Sequence, residues 1–170
     1  VPLYDRISGN SIFGNTGLGI RLQNSGTTPL ANDGAKSSAV SNQGMDSPVF
    51  TAAQLAGSYL YVTGYVGSAA GQTTFGGVRV ELFRSDNDAS GSGEGQTYLG
   101  ALFTDGTGAF AGSITVSGLV AGDRVTATAT DTSTNSTSEF AANAQIASAA
   151  SVTAPGPIGE WRFDETSWSG

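Results

Sequence analysis

In this 170-residue chain the loop Asp86-Asn-Asp88-Ala-Ser90-Gly91-Ser-Gly-Glu94 holds the residues best placed to do chemistry. Oxygen-bearing side chains at alternate positions can aim at one ion, and glycine at the sixth position permits the sharp turn of a calcium loop. On that reading Asp86, Asp88, Ser90 and Glu94 are candidate metal ligands, and calcium is the one cofactor the sequence admits. The twelfth position is Thr97, where an EF-hand requires a bidentate glutamate. A solvated hairpin loop accounts for the same residues, since short acidic loops are common and calcium loops are not. Asp131 and Asn135 form a second, smaller oxygen cluster, in which Asp131 is expected to close a turn.

Several chemistries are excluded by what is missing. The chain has no cysteine and no histidine, which removes thiolate and imidazole ligands, cysteine nucleophiles and the Ser-His-Asp arrangement. Fourteen acidic residues against seven basic, with Lys36 the single lysine, leave a net charge of -7. That balance offers no footprint for a nucleic-acid backbone. The acidic residues fall mostly at turns and strand ends, where solvation explains them. No catalytic carboxylate pair is expected, and the chain reads as non-enzymatic.

Tyr59, Tyr61 and Tyr65 stand at alternate positions and would make a flat aromatic face for stacking on sugar rings or for packing against a neighbouring module. Aromatic residues are also ordinary strand formers, and cross-strand packing explains them equally.

The elements that must position these residues are strands. Period-two alternation of apolar and polar residues runs through Leu60–Val66, Val78–Leu82, Leu99–Phe103, Phe110–Val116 and Val125–Thr130. Turn signals such as Asp105-Gly106 and Ala121-Gly122-Asp123 separate them at the intervals of an antiparallel sandwich. With Phe50–Leu55 and Ser138–Ala144 added, about seven strands are predicted, so the fold class is all-β, an antiparallel β-sandwich. No run of about 18 apolar residues exists, and no helix is expected to span a membrane. Gly, Ala, Ser and Thr fill about half of the chain, a composition that suits a bacterial cell-surface or extracellular protein.

Ahead of the sandwich, Ile7-Ser-Gly-Asn10-Ser-Ile12-Phe-Gly-Asn15-Thr-Gly-Leu18-Gly-Ile20-Arg-Leu22 sets apolar residues beside two Gly-Asn turn pairs. Short strands joined by tight turns are expected there. The spacing resembles the last coil of a right-handed parallel β-helix of the pectate-lyase-like type; a Gly-rich β-hairpin is the alternative. Further along, Glu94-Gly-Gln96-Thr-Tyr-Leu-Gly100, Val125-Thr-Ala-Thr-Ala-Thr-Asp131 and Thr137-Ser-Glu-Phe140 resemble the Ig-like module that often follows such β-helices in large bacterial surface proteins. After Pro155-Gly-Pro157, the stretch Ile158-Gly-Glu-Trp161-Arg-Phe163 resembles the opening strand of a laminin-G or concanavalin-like jelly roll.

The resemblance implies a β-helix-like terminal coil over 1–23, a connecting loop over 24–48, an Ig-like β-sandwich over 49–146, and a linker with a C-terminal strand over 147–170. Both ends then look like parts of modules. Ile7, Ile12, Trp161, Phe163 and Trp168 are expected to find partners by strand addition, either in another copy or in neighbouring domains of a longer chain. The function expected is a non-enzymatic extracellular structural module, a stalk segment or a self-assembling fibre subunit. The alternative is a calcium-dependent carbohydrate-binding adhesin module.

Overall fold

A computed structural model of the chain describes residues 4–22 and 28–149. Six strands carry the body: β1 Pro48–Ala56, β2 Tyr59–Val66, β3 Arg79–Ser85, β4 Gly95–Phe103, β5 Ala109–Thr115 and β6 Arg124–Asp131. Three two-residue strands complete it: β7 Ser136–Thr137, β8 Ala144–Gln145 and β9 Ala147–Ser148. They form two sheets, one ordered β5-β2-β1-β9, the other ordered β4-β3-β6-β7 with β8 also paired to β6. All pairings are antiparallel except β1 with β9. The predicted all-β sandwich is what forms, and each of the six long strands overlaps a stretch predicted as a strand, with Val78 and Val116 falling just outside β3 and β5.

Alternation fixes which side chains meet between the sheets. Leu60, Val62 and Val66 of β2 face Val80 and Leu82 of β3 and Val125, Ala127 and Ala129 of β6 in one buried cluster. Phe110 closes it, edge-on to Phe50 at 5.9 Å between ring centroids. Its ring lies over Gly64, its partner across the β2–β5 ladder, where an added Cβ would sit 2.4 Å from Phe110 Cζ and 2.2 Å from the Val49 carbonyl oxygen. Glycine is required there by packing.

The N-terminal segment departs from expectation. Among the described residues it contains no strand, neither a β-helix coil nor a hairpin, and it lies as an irregular strap across the outer face of the second sheet. Ile20 and Leu22 are buried with Phe83 and Phe140, and Ile7, Ile12 and Leu30 pack on that cluster. The Gly-Asn pairs do turn the chain, with Gly9 at φ 67° and Gly14 at φ 71°, but the turns do not return it onto itself. The strap's backbone groups pair instead with side chains and strand edges of the sandwich.

This third layer alters β6. Its threonines would face water in a two-layer sandwich, yet Thr126, Thr128 and Thr130 are 0%, 2% and 1% exposed. The strand is buried on both faces.

The predicted last strand over 138–144 is also broken. Residues 138–143 follow β6, with the Ser138 and Ala141 amides donating to the carbonyls of Ala129 and Ala127. A regular strand sends consecutive side chains to opposite faces, but Glu139 and Phe140 both turn to the strap. Only β7 and β8 at the two ends pair as strands; the chain then crosses through buried Ile146 to the other sheet as β9.

Candidate functional site

The polar chemistry of the molecule lies beneath the strap. Glu81, Glu94 and Glu139 are 0%, 1% and 3% exposed, contrary to the expectation that solvation explains the acidic residues. A buried carboxylate needs partners, because ionised groups taken out of water cost several kcal/mol unless hydrogen-bonded or paired. Each of the three finds donors on the strap.

On β3, Glu81 accepts from the Ser8 hydroxyl at 2.6 Å and the Gly9 amide at 2.7 Å, and is ion-paired with Arg79. Glu94, just ahead of β4, accepts from the Asn15 amide at 2.9 Å and the Asn15 side-chain nitrogen at 2.8 Å. Beyond β7, the two oxygens of Glu139 take the amides of Leu22 at 2.8 Å and Leu30 at 2.6 Å. Bonds of this charge-assisted kind are roughly twice as strong as neutral ones.

Asn42 completes the row by accepting from the Asp5 amide at 2.5 Å and donating to the carbonyls of Asp5 and Thr137. Asp46 serves the following loop in the same manner, accepting from the amides of Asp33 at 3.1 Å and Gly34 at 2.8 Å. Burial pushes the Asp46 carboxyl above the usual carboxylate value, against the lowering effect of those two amides.

The acidic loop belongs to this scheme. One oxygen of Asp86 accepts from the amides of Asp88 at 3.1 Å and Glu94 at 2.8 Å, and the other from the Gly14 amide at 3.0 Å. Asp88 accepts from the Ser90 amide at 2.7 Å, and Ser90 donates its hydroxyl to the Ser92 carbonyl at 3.3 Å. Hydrogen bonding from Ser90 holds the Asp88 carboxyl below its usual range. Among the described residues no three acidic side chains converge in a way that could hold a metal ion. At the second oxygen cluster, Asp131 closes its turn by accepting from the Ser133 amide at 2.9 Å and hydroxyl at 2.6 Å, as expected. Its other oxygen pairs with Lys36 at 2.7 Å. Burial alone would raise the Asp131 carboxyl, but Lys36 and Ser133 together bring it down to about 2.

The tyrosines lie on the opposite face of the molecule. Tyr59 and Tyr61 are exposed and Tyr65 is half-buried, all on the outer side of β2, with the rings of Tyr59 and Tyr61 6.4 Å apart and tilted by 52°. No segment of the described chain crosses this face as the strap crosses the other. Of the residues expected to assemble, Ile7 and Ile12 pack within their own chain. Trp161, Phe163 and Trp168 lie outside the described residues.

Sequence reasoning missed Glu81, Glu139, Asn42 and Asp46. A single acidic residue within Val80-Glu81-Leu82 reads as the solvent face of a half-buried strand, and nothing nearby in sequence announces a covering layer.

No protein-family description matches the sequence, so neither the β-helix nor the Ig-like resemblance gains a match. Among solved structures, the adhesin domain of Epf from Streptococcus pyogenes is similar at 16% identity with a TM-score of 0.43. The likeness covers 61% of this chain and 33% of that one, so the chain spans about a third of the length of that structure. Among the described residues no helix is long and apolar enough to cross a membrane.

Proposed function

We propose that this chain is a non-enzymatic structural module of an extracellular or cell-surface protein, in which the segment ahead of the sandwich is fastened to it as part of one rigid body. The observation that supports this reading is the use of the buried carboxylates: Glu81, Glu94 and Glu139 accept hydrogen bonds from the backbone of the strap. Acid–base catalysis needs carboxylates that reach a substrate and the proton being moved; these three are buried, with oxygens committed to the strap's own N–H groups. A segment hydrogen-bonded to the sandwich at intervals from Ile7 to Leu22 suits a module that passes tension to a neighbouring domain without unravelling.

Pulling tandem copies by force spectroscopy tests the proposal. The strap and sandwich are expected to open in a single event, releasing a chain whose extended length for the described span is about 500 Å at 3.3–3.6 Å per residue. Release of the strap in a separate step at much lower force would overturn it, as would turnover of a polysaccharide, peptide or ester by the purified chain. Sedimentation separates the two forms of the reading, since a stalk segment stays monomeric and a fibre subunit does not.

A further inference from the structure

The sheet that carries the tyrosines has a second property. Its four strands, Pro-Val-Phe-Thr-Ala-Ala-Gln-Leu-Ala, Tyr-Leu-Tyr-Val-Thr-Gly-Tyr-Val, Ala-Phe-Ala-Gly-Ser-Ile-Thr and Ala-Ser, contain no Asp, Glu, Lys or Arg, in a chain of net charge -7. The outer side of β2 therefore presents Tyr59, Tyr61, Thr63 and Tyr65 between neighbours that are small or neutral. On the β5 side the cross-strand partners are Thr115, Ser113, Ala111 and Ala109. Toward β1, Tyr61 stands opposite Gln54, and Thr63 is hydrogen-bonded to Thr51 at 2.7 Å.

We propose that this face binds a neutral oligosaccharide lying along β2, without calcium. Charge decides against an ionic ligand: a carboxylate, sulfate or ammonium laid here would lose water and meet no counter-charge. Chemistry favours a sugar, whose apolar ring faces stack on tyrosine and whose hydroxyls bond to Thr, Ser and Gln side chains. Tyr59 and Tyr61 can each take a ring, and Tyr65, about 13 Å beyond Tyr61 at the strand rise, extends the track for a longer chain. The exposed aromatic area is small for the anchors of a second copy of the protein. At 48% and 46% exposure, Tyr59 and Tyr61 offer about 100 Å² each, whereas a stable dimer covers about 800 Å² per partner around deeply buried anchors. The acidic loop takes no part, since its carboxylates bind backbone elsewhere.

The test uses the full chain on an array of neutral gluco-, manno- and galacto-oligosaccharides, with uronic and sialylated oligosaccharides as charged controls, in calcium and in chelator. Binding to a neutral oligosaccharide is expected, unchanged by chelator. It should fall at least tenfold in Tyr59→Ala/Tyr61→Ala, with the melting temperature of that variant within a few degrees of the parent, and persist in Tyr61→Phe, which keeps the ring. Absence of neutral-glycan binding, preference for the charged controls, loss in chelator or an unaffected double variant would each overturn the proposal. So would a dimer in sedimentation that the double variant abolishes. The inference stands apart from the structural reading, because pulling experiments do not involve the tyrosine face and either can fail alone.

Discussion

Glu139 shows how a single side chain can fix two distant pieces of chain. Its two oxygens take the amides of Leu22 and Leu30, 117 and 109 residues away. In Glu139→Gln one of those oxygens becomes an amide nitrogen facing an N–H donor, so one backbone group is left without an acceptor. A loss of about 1–3 kcal/mol is expected, read from urea unfolding, and Glu139→Ala should lose more. Gly64→Ala probes packing in the same way. The new methyl group would press on the Phe110 ring and the Val49 carbonyl, and overpacking of this kind costs about 1–3 kcal/mol; an unchanged denaturation midpoint would contradict the packing described. Neither role was legible beforehand, because a glutamate beside Ser138 and a glycine in a Tyr-rich strand give no sign of what lies across from them.

The elements divide into those legible from local pattern and those that were not. Five of the six long strands, β2 to β6, were legible because burial of one face imposes period two on the sequence, as in Leu60-Tyr-Val62. β6 was found as a strand, but half of its environment was missed: Val-Thr-Ala-Thr-Ala-Thr reads the same whether the threonines meet water or a covering layer. The strap escaped because its regularity lies in bonds to residues 37 to 130 positions away, not in any period of its own. Two expectations follow for it. Hydrogen exchange should show the amides of Ile7, Gly9, Ile12, Asn15 and Leu22 protected, since each donates to the sandwich; fast exchange there would mean that the strap opens independently. Leu22→Ala should destabilise the whole fold by about 2–5 kcal/mol and expose the threonine face of β6, measured by denaturant unfolding.

For the whole molecule, acidity and calcium make separate tests. The Asp131 carboxyl, brought to about 2 from an ordinary 3.8, contributes stability that is present above the unfolded value and is lost as pH falls from about 4 to about 2. Asp131→Asn should flatten the stability profile across that window. Asp46 acts in the opposite sense: with its folded value raised, its contribution is present below the ordinary carboxylate range and is lost as pH rises through the raised value. Calcium at millimolar concentration is expected to leave the melting temperature unchanged, because the Asp86 and Glu94 oxygens already accept from Gly14, Glu94 and Asn15; a rise of several degrees would show that the loop rearranges around the ion. The sandwich as a class was legible from alternation and turn spacing, whereas the strap's covering of the second sheet belongs to the assembled chain.

The four strands without Asp, Glu, Lys or Arg also make the described molecule electrically lopsided. Within about one Debye length, roughly 10 Å at 0.1 M salt, an anionic cell wall or membrane would repel the acidic body and turn the uncharged sheet inward. Such steering would orient each encounter before any contact forms, and it would fade as ionic strength rises.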